Sequence, residues 1–207
     1  MKVGMIGAGN VGSALTKASI AAGHAVAISA TSQDEAAKAS AVAGGTAVRS
    51  NREAVTDADL VILAVPFEAV QAITGELGEA LNGKVVIDVT NRFDPMQLNG
   101  PSNAEQTQQL APGARVVKAF NTIFAAKQPD PSIEGIQLDG FVAADDTAAK
   151  STVLEFVESL GFRPIDAGPL AMARALEGMG TLNISLNMNN GWPWQTGWKL
   201  LGPTSGG

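Results

Sequence analysis

Cysteine is absent from the 207-residue chain, and histidine occurs once, at His24. Disulfide and thiolate chemistry are therefore excluded, and a transition-metal site, which draws on imidazole and thiolate donors, is not expected. Charge is sparse: 16% of residues carry one, and the net charge is −6. An acidic chain lacks the basic footprint that nucleic acid or an anionic membrane surface requires. No apolar run approaches the roughly 20 residues of a membrane-spanning helix. Lys2 and the apolar residues after it faintly resemble a signal peptide, but the glycines, Asn10, Ser13 and Thr16 interrupt any hydrophobic region. The expectation is a soluble, cytoplasmic protein that acts on a small molecule, with neither nucleic acid nor membrane as partner.

What the chain has instead is apolar residue, 45% of the total, enough for a sizeable core. Its organising stretch is the first thirty residues. A short apolar run over residues 3–6 breaks into Gly7-Ala8-Gly9-Asn10-Val11-Gly12, and a helical stripe of Val11, Leu15, Ala18 and Ala22 follows. A second apolar run over residues 25–29 comes directly after it. Strand, glycine turn, helix and strand is the order of a dinucleotide-binding fingerprint. Gly7 turns the chain sharply off the strand, Gly9 clears side chain from the ligand's path, and Gly12 lets the helix lie close to the sheet. The unpaired N–H groups of the first helical turn then face a pyrophosphate.

Apolar runs and helical stripes continue to alternate. Residues 60–65 have the unbroken apolar character of a parallel strand buried on both faces, and residues 84–88 are expected as another buried strand. Residues 115–120, 141–144 and 163–166 are expected as further strands, and residues 123–138 as loop. A final helix is expected to open at Ala167-Gly168-Pro169, although Gly178 and Gly180 inside it cost about 1 kcal/mol each unless something packs closely there. The expected fold class is α/β: a Rossmann-type, doubly wound, mainly parallel sheet with a small C-terminal α/β extension. The whole chain, 1–207, is read as one NAD(P)-binding domain, with a core over about 1–145 and the extension over about 146–207.

In an open α/β sheet, ligands bind beyond the carboxyl ends of the strands. The candidate cofactor-binding residues are therefore Gly7, Gly9, Asn10, Val11 and Gly12 for the pyrophosphate, Thr31 and Ser32 for the adenosine ribose, and Ala64, Val65, Pro66 and Asn91 along the nicotinamide side. No acid stands at the end of the second strand to hold a ribose 2′-hydroxyl. The hydroxyls of Thr31 and Ser32, with Lys38 or Arg49, could accept a 2′-phosphate, so the reading is NADP, with NAD left open. His24 falls at the opposite end of the sheet and is read as structural. Lys118 is expected to pair with a carboxylate, and Arg92 with Asp88 or Asp94. No residue is nominated as a general acid. Hydride transfer between two stacked rings needs positioning and no dedicated acid, whereas ketone reduction usually needs one. Trp192, Trp194 and Trp198 are expected to anchor the C-terminus or a dimer contact, with a stacking wall over an aromatic substrate as the alternative.

Residues 6–12, 60–66, 86–91, 116–122 and 161–170 together resemble the NADPH-dependent F420 reductase family, which is also similar to the cytosolic dinucleotide-binding domain of the STEAP metalloreductases. The resemblance implies hydride transfer between NADP(H) and a deazaflavin (F420) or flavin. It places the meeting of the two rings in the cleft formed by Asn121, Thr122, Ile123, Phe124 and Ala125. Where family members often carry a Ser-Arg pair after the second strand, this chain has Ala30 and Thr31. Two other readings stand beside this one: a reductase of a small imine, ketone or hydroxy acid, and a dinucleotide-binding module without catalysis. A homodimer is left open.

Overall fold

The computed structural model describes residues 1–93 and 100–202. The expected Arg92–Asp94 pairing and the glycine- and serine-rich end over 203–207 lie outside the described residues. The chain runs β1 (Lys2–Ile6), α1 (Asn10–Ala21), β2 (Ala25–Ser29), α2 (Gln33–Ala43), β3 (Thr46–Ala47), α3 (Asn51–Thr56), β4 (Leu60–Leu63), α4 (Phe67–Leu77), β5 (Val85–Asp88), α5 (Asn103–Leu110) and β6 (Arg115–Lys118). It continues through β7 (Ser132–Ile133), β8 (Ile136–Gln137), β9 (Asp139–Ala144), α6 (Thr147–Ser159), β10 (Arg163–Gly168) and α7 (Ala173–Asn190).

Eight strands form one sheet in the order β10-β9-β6-β5-β4-β1-β2-β3. The strands from β3 across to β6 are all parallel. Their alternation sorts side chains to two faces. Val3, Met5, Leu60, Ile62, Val85, Ile87 and Val117 join α1, α2 and α6 in one core. Ile6, Val61, Leu63, Val86 and Val116 join α3, α4, α5 and the start of α7 in the other. That two-sided burial is why the central residues of these strands are apolar.

The sheet departs from the parallel rule beyond β6. β9 pairs antiparallel with β6, Val117 opposite Ala144 and Lys118 opposite Ala143, while β10 runs parallel to β9. No crossover helix lies between β6 and β9, so the chain is free to return antiparallel. The connection, expected as loop, holds the two-stranded hairpin β7–β8. Its turn residues Glu134 and Gly135 have φ of 51° and 78°, the left-handed pair a two-residue hairpin needs. Nor does the last helix open at Gly168: β10 reaches that residue, a 3₁₀ turn spans Leu170–Met172, and α7 follows. His24 lies away from the strand ends that bear the candidate site. Its Nδ1 is 3.1 Å from the N-terminal amine and its Nε2 is 2.8 Å from Ser159 Oγ.

The helices of the second layer are joined by Glu105 on α5. It closes a capping box with Ser102 and accepts both N–H arms of Arg174 on α7, at 2.8 and 2.6 Å. The Arg174 hydrogen bond outweighs the opposing effect of burial, and with the Ser102 bonds it lowers the Glu105 carboxyl from 4.5 to about 2. The folded value lies below the unfolded one, so the contribution is complete above pH 4.5 and is lost as pH falls toward 2. Thermal unfolding followed by circular dichroism should show Glu105→Gln least stable relative to the parent above pH 4.5, with the two midpoints converging toward pH 2.

Candidate functional site

Two cavities open along the carboxyl edge of the sheet, one on each side of the glycine turn. The first, of about 730 Å³, is bordered by Gly7, Ala8 and Gly9, by Ala30 and Thr31 after β2, and by Ala64, Val65 and Pro66 after β4. The turn itself is shaped by close backbone approach. Gly7 has φ of 105°, and a Cβ there would sit 2.3 Å from Ala64 O. A Cβ on Gly12 would sit 2.0 Å from Gly7 O. Gly12 thus packs the helix onto the strand and does not line the cavity. A Cβ on Gly9 would meet nothing within 4 Å, so that residue leaves open the space in front of the helix. Ser32, nominated with Thr31, has its hydroxyl committed to capping α2, accepting Glu35 N–H at 3.2 Å.

The second cavity, of about 890 Å³, gathers Asn10 and Val11 from α1, Asn91 and Phe93 after β5, and all five residues from Asn121 to Ala125 after β6. Its far wall is α7, through Gly180, Asn183, Ile184 and Met188, with Trp194 beyond. Ser13 borders both cavities. Of the sequence candidates, Asn10, Val11 and Asn91 therefore stand on the second cavity, whereas Gly7, Gly9, Thr31, Ala64, Val65 and Pro66 stand on the first.

The second cavity is held rigid at its floor. Asn91 donates to Asn121 O at 2.8 Å, and Asn121 donates back to Asn91 Oδ1 at 2.9 Å and to Leu176 O at 2.8 Å. α7 approaches so closely that a Cβ on Gly180 would lie 2.4 Å from Asn91 Oδ1. The glycine that weakens the helix in the sequence is what admits the loop against it. Phe120, just before this floor, has φ of 62°. Its buried ring meets Phe156 and Phe162 edge-on, which holds the residue in a conformation costing of order 1–3 kcal/mol.

What seats α7 is a buried group of four charges. Lys118 Nζ, at the end of β6, donates to Asp88 Oδ1 at 3.0 Å and to Glu177 Oε1 at 2.9 Å. Arg92 Nε is 2.7 Å from Glu177 Oε2. The expected partner of Lys118 is found. Among the described residues Arg92 reaches a carboxylate 85 positions away, because α7 delivers Glu177 between the two cations. Glu177 also accepts Asn103 N–H at 3.1 Å at the start of α5, and Asp88 accepts Thr107 Oγ1 at 2.6 Å and Thr90 N–H at 2.9 Å. Burial alone would raise the Asp88 carboxyl, but the Lys118 charge and the hydrogen bonds from Thr107, Lys118 and Thr90 hold it below its ordinary value.

The tryptophans divide. Trp194 (φ 57°) sets its ring edge-on to Phe124, centroids 5.3 Å apart, and so borders the second cavity. Trp198 serves as anchor, its carbonyl accepting Asp139 N–H at 3.2 Å. Asn187 and Asn183 tie this segment back to α7 through Thr196, each 2.7 Å away. Among the described residues no cluster of potential metal ligands occurs, and no helix is long and apolar enough to cross a membrane.

Comparison with known proteins places this geometry. The profile of the family described as NADP oxidoreductase, coenzyme F420-dependent, matches residues 2–92. The F420-dependent NADP reductase of Methanothermobacter thermautotrophicus (strain Delta H) is 31% identical, over 92% of this chain and 90% of that protein. The chain belongs to this family. A crystal structure from Arthrobacter sp. FB24, assigned as an F420-dependent NADP-reductase, superposes with a TM-score of 0.81 at 28% identity, covering 94% of this chain and 96% of that one. Metalloreductase STEAP3 of Rattus norvegicus is 33% identical over 85% of the chain, which spans only 36% of the length of that protein. The fold class expected from the strand–helix alternation is thus shared with the F420-dependent NADP reductases.

Lys118→Met leaves Asp88 and Glu177 buried without their shared cation. Urea denaturation should show a loss of about 3–5 kcal/mol, the cost of breaking a buried ion pair from one side.

Proposed function

We propose that the chain transfers a hydride between NADP(H) and a deazaflavin (F420) or flavin-type acceptor, as its family membership suggests. The observation that carries this reading is the pair of cavities meeting at the glycine turn. A dinucleotide lying along the first would bring its nicotinamide to the second, where the residues of the expected hydride-transfer cleft stand together. The first cavity fits such a cofactor: the helix start beyond Gly9 is open, and the backbone amides of Gly9, Asn10, Val11 and Gly12 belong to a helix end suited to a diphosphate. Thr31 would border the adenosine ribose, Ala64, Val65 and Pro66 the nucleotide's length, and Asn91 the nicotinamide end.

When bound, the dihydronicotinamide supplies the hydride. The acceptor ring gains it together with one proton from solvent, so no protein acid is required. The side chains of this chain bind and align. Phe124 and Trp194 offer aromatic surface to the acceptor ring. Asn10, Asn121 and Asn183 add neutral polar groups to the same lining. The lining is neutral among the described residues, which favours this reading over a carbonyl or imine reductase, a reaction that would draw on a proton donor in the cavity.

In an anaerobic spectrophotometric assay, NADPH should be oxidised by F420, or failing that by FMN or FAD, well above the protein-free rate. Trp194→Ala should raise the acceptor KM by about three- to tenfold, the worth of one aromatic contact, with a smaller change for NADPH. No turnover with any of these acceptors refutes the assignment.

We also read the chain as a homodimer. Leu182 and Leu186, one turn apart, leave an exposed apolar edge along the last helix, which supports a second copy covering it. Light scattering behind size-exclusion chromatography should report twice the chain mass, and Leu182→Glu should return it to one.

A further inference from the structure

The first cavity carries two charged side chains, Glu35 and Lys38, and both come from α2. With Ala39 and Val42 they share the helical spacing that puts residues on one face, so this face forms one side of the cavity. Neither takes part in an ion pair among the described residues. Thr31, at the end of β2, borders the same space, whereas Arg49 does not. The adenosine ribose of a dinucleotide lies at this strand end in a Rossmann sheet. NADP(H) and NAD(H) differ there by one group, a 2′-phosphate against a 2′-hydroxyl.

We propose that Lys38 and Glu35 are opposed specificity determinants, Lys38 for the 2′-phosphate of NADP(H) and Glu35 for the 2′-hydroxyl of NAD(H), so that this chain uses both cofactors in a ratio set by the two residues. The inference rests on the proposed occupant of the cavity and deepens it. An ammonium is a compact point charge on a long stem, suited to a dianionic phosphate approached from solvent. A carboxylate accepts a hydroxyl and repels a phosphate. Lys38 and Glu35 sit three positions apart on the helix, so a ribose edge at Thr31 meets both. The two effects oppose each other, and neither cofactor is excluded.

The test is isothermal titration of the full chain with NADPH and with NADH, for the parent, Lys38→Met and Glu35→Gln. Both positions are exposed on the helix surface, and circular dichroism confirms that each variant folds. Lys38→Met should lower the ratio of NADPH to NADH affinity about tenfold, the effect of about 1.4 kcal/mol. Glu35→Gln should raise that ratio about threefold. Raising the salt from 50 to 500 mM should weaken NADPH more than NADH in the parent, and this difference should shrink in Lys38→Met. If either substitution leaves the ratio unchanged while the parent binds a cofactor, the assignment of that residue is overturned. If the parent binds neither cofactor, the occupant of the cavity is wrong, and the inference falls with it by a distinguishable result.

Discussion

Two cations and two carboxylates buried at the ends of β5 and β6 set the position of everything on the second cavity's far side. Lys118, Asp88 and Glu177 are fully enclosed and Arg92 nearly so. Transferring isolated charges into such a place costs several kcal/mol each. The cost is offset here because the charges balance and most of the remaining polar valences are filled, by Thr90, Thr107 and the N–H groups at the start of α5. Apolar residues of the same volume could give equal stability. They would not give the same directionality. Glu177 must face Lys118 and Arg92 together, and that fixes both the rotation and the height of α7. Gly180, Asn183 and Ile184 follow on the same helix, so the wall of the cavity inherits its register from an ion pair that does not itself touch the cavity.

The glycine turn supplies the complementary constraint on the near side. There the limiting quantity is distance between backbones. Gly7, Ala64 and Gly12 lie in contacts that no side chain could enter, so β1, β4 and α1 converge where the two cavities meet. Phe120 adds a third fixed point. Its left-handed conformation is held by aromatic neighbours in the first core, and it turns the chain abruptly from β6 into the residues that form the floor. A rigid near side, a seated far helix and a strained floor together leave little freedom for whatever occupies the space between them.

The parallel half of the fold was legible because its signals are local. Residues 60–63 and 85–87 are apolar without interruption since both faces are covered, and the glycine turn carries its own spacing. The candidate residues of the turn could be named from the same local pattern, whereas those of the loop after β6 were implied by the family resemblance. The rest depended on distance along the chain. Nothing near Arg92 announces Glu177, and nothing near Lys118 chooses between Asp88 and a carboxylate 59 residues on. The hairpin β7–β8 escaped because its turn is Glu-Gly, whose first residue is a poor candidate for positive φ, where Asn-Gly would have been read at once. Ser32 shows the converse. Its position fits a ligand contact, and a hydroxyl just before a helix is equally a cap: its oxygen accepts Glu35 N–H, a role the sequence reading did not assign.

The shortage of titratable groups around the second cavity carries a chemical consequence of its own. Among the described residues, those bordering it are amides, hydroxyls, aliphatic and aromatic groups, with no charge among them. A reaction that builds charge on a substrate oxygen or nitrogen would find no donor of matched acidity there. A hydride passing between two large conjugated rings spreads its charge over many atoms and asks mainly that the rings lie close and parallel. The structure concentrates its buried ionic interactions a layer below, where they orient α7, and leaves the cavity surface neutral. Charge is thus used to orient α7, while the described lining of the second cavity is left to neutral groups.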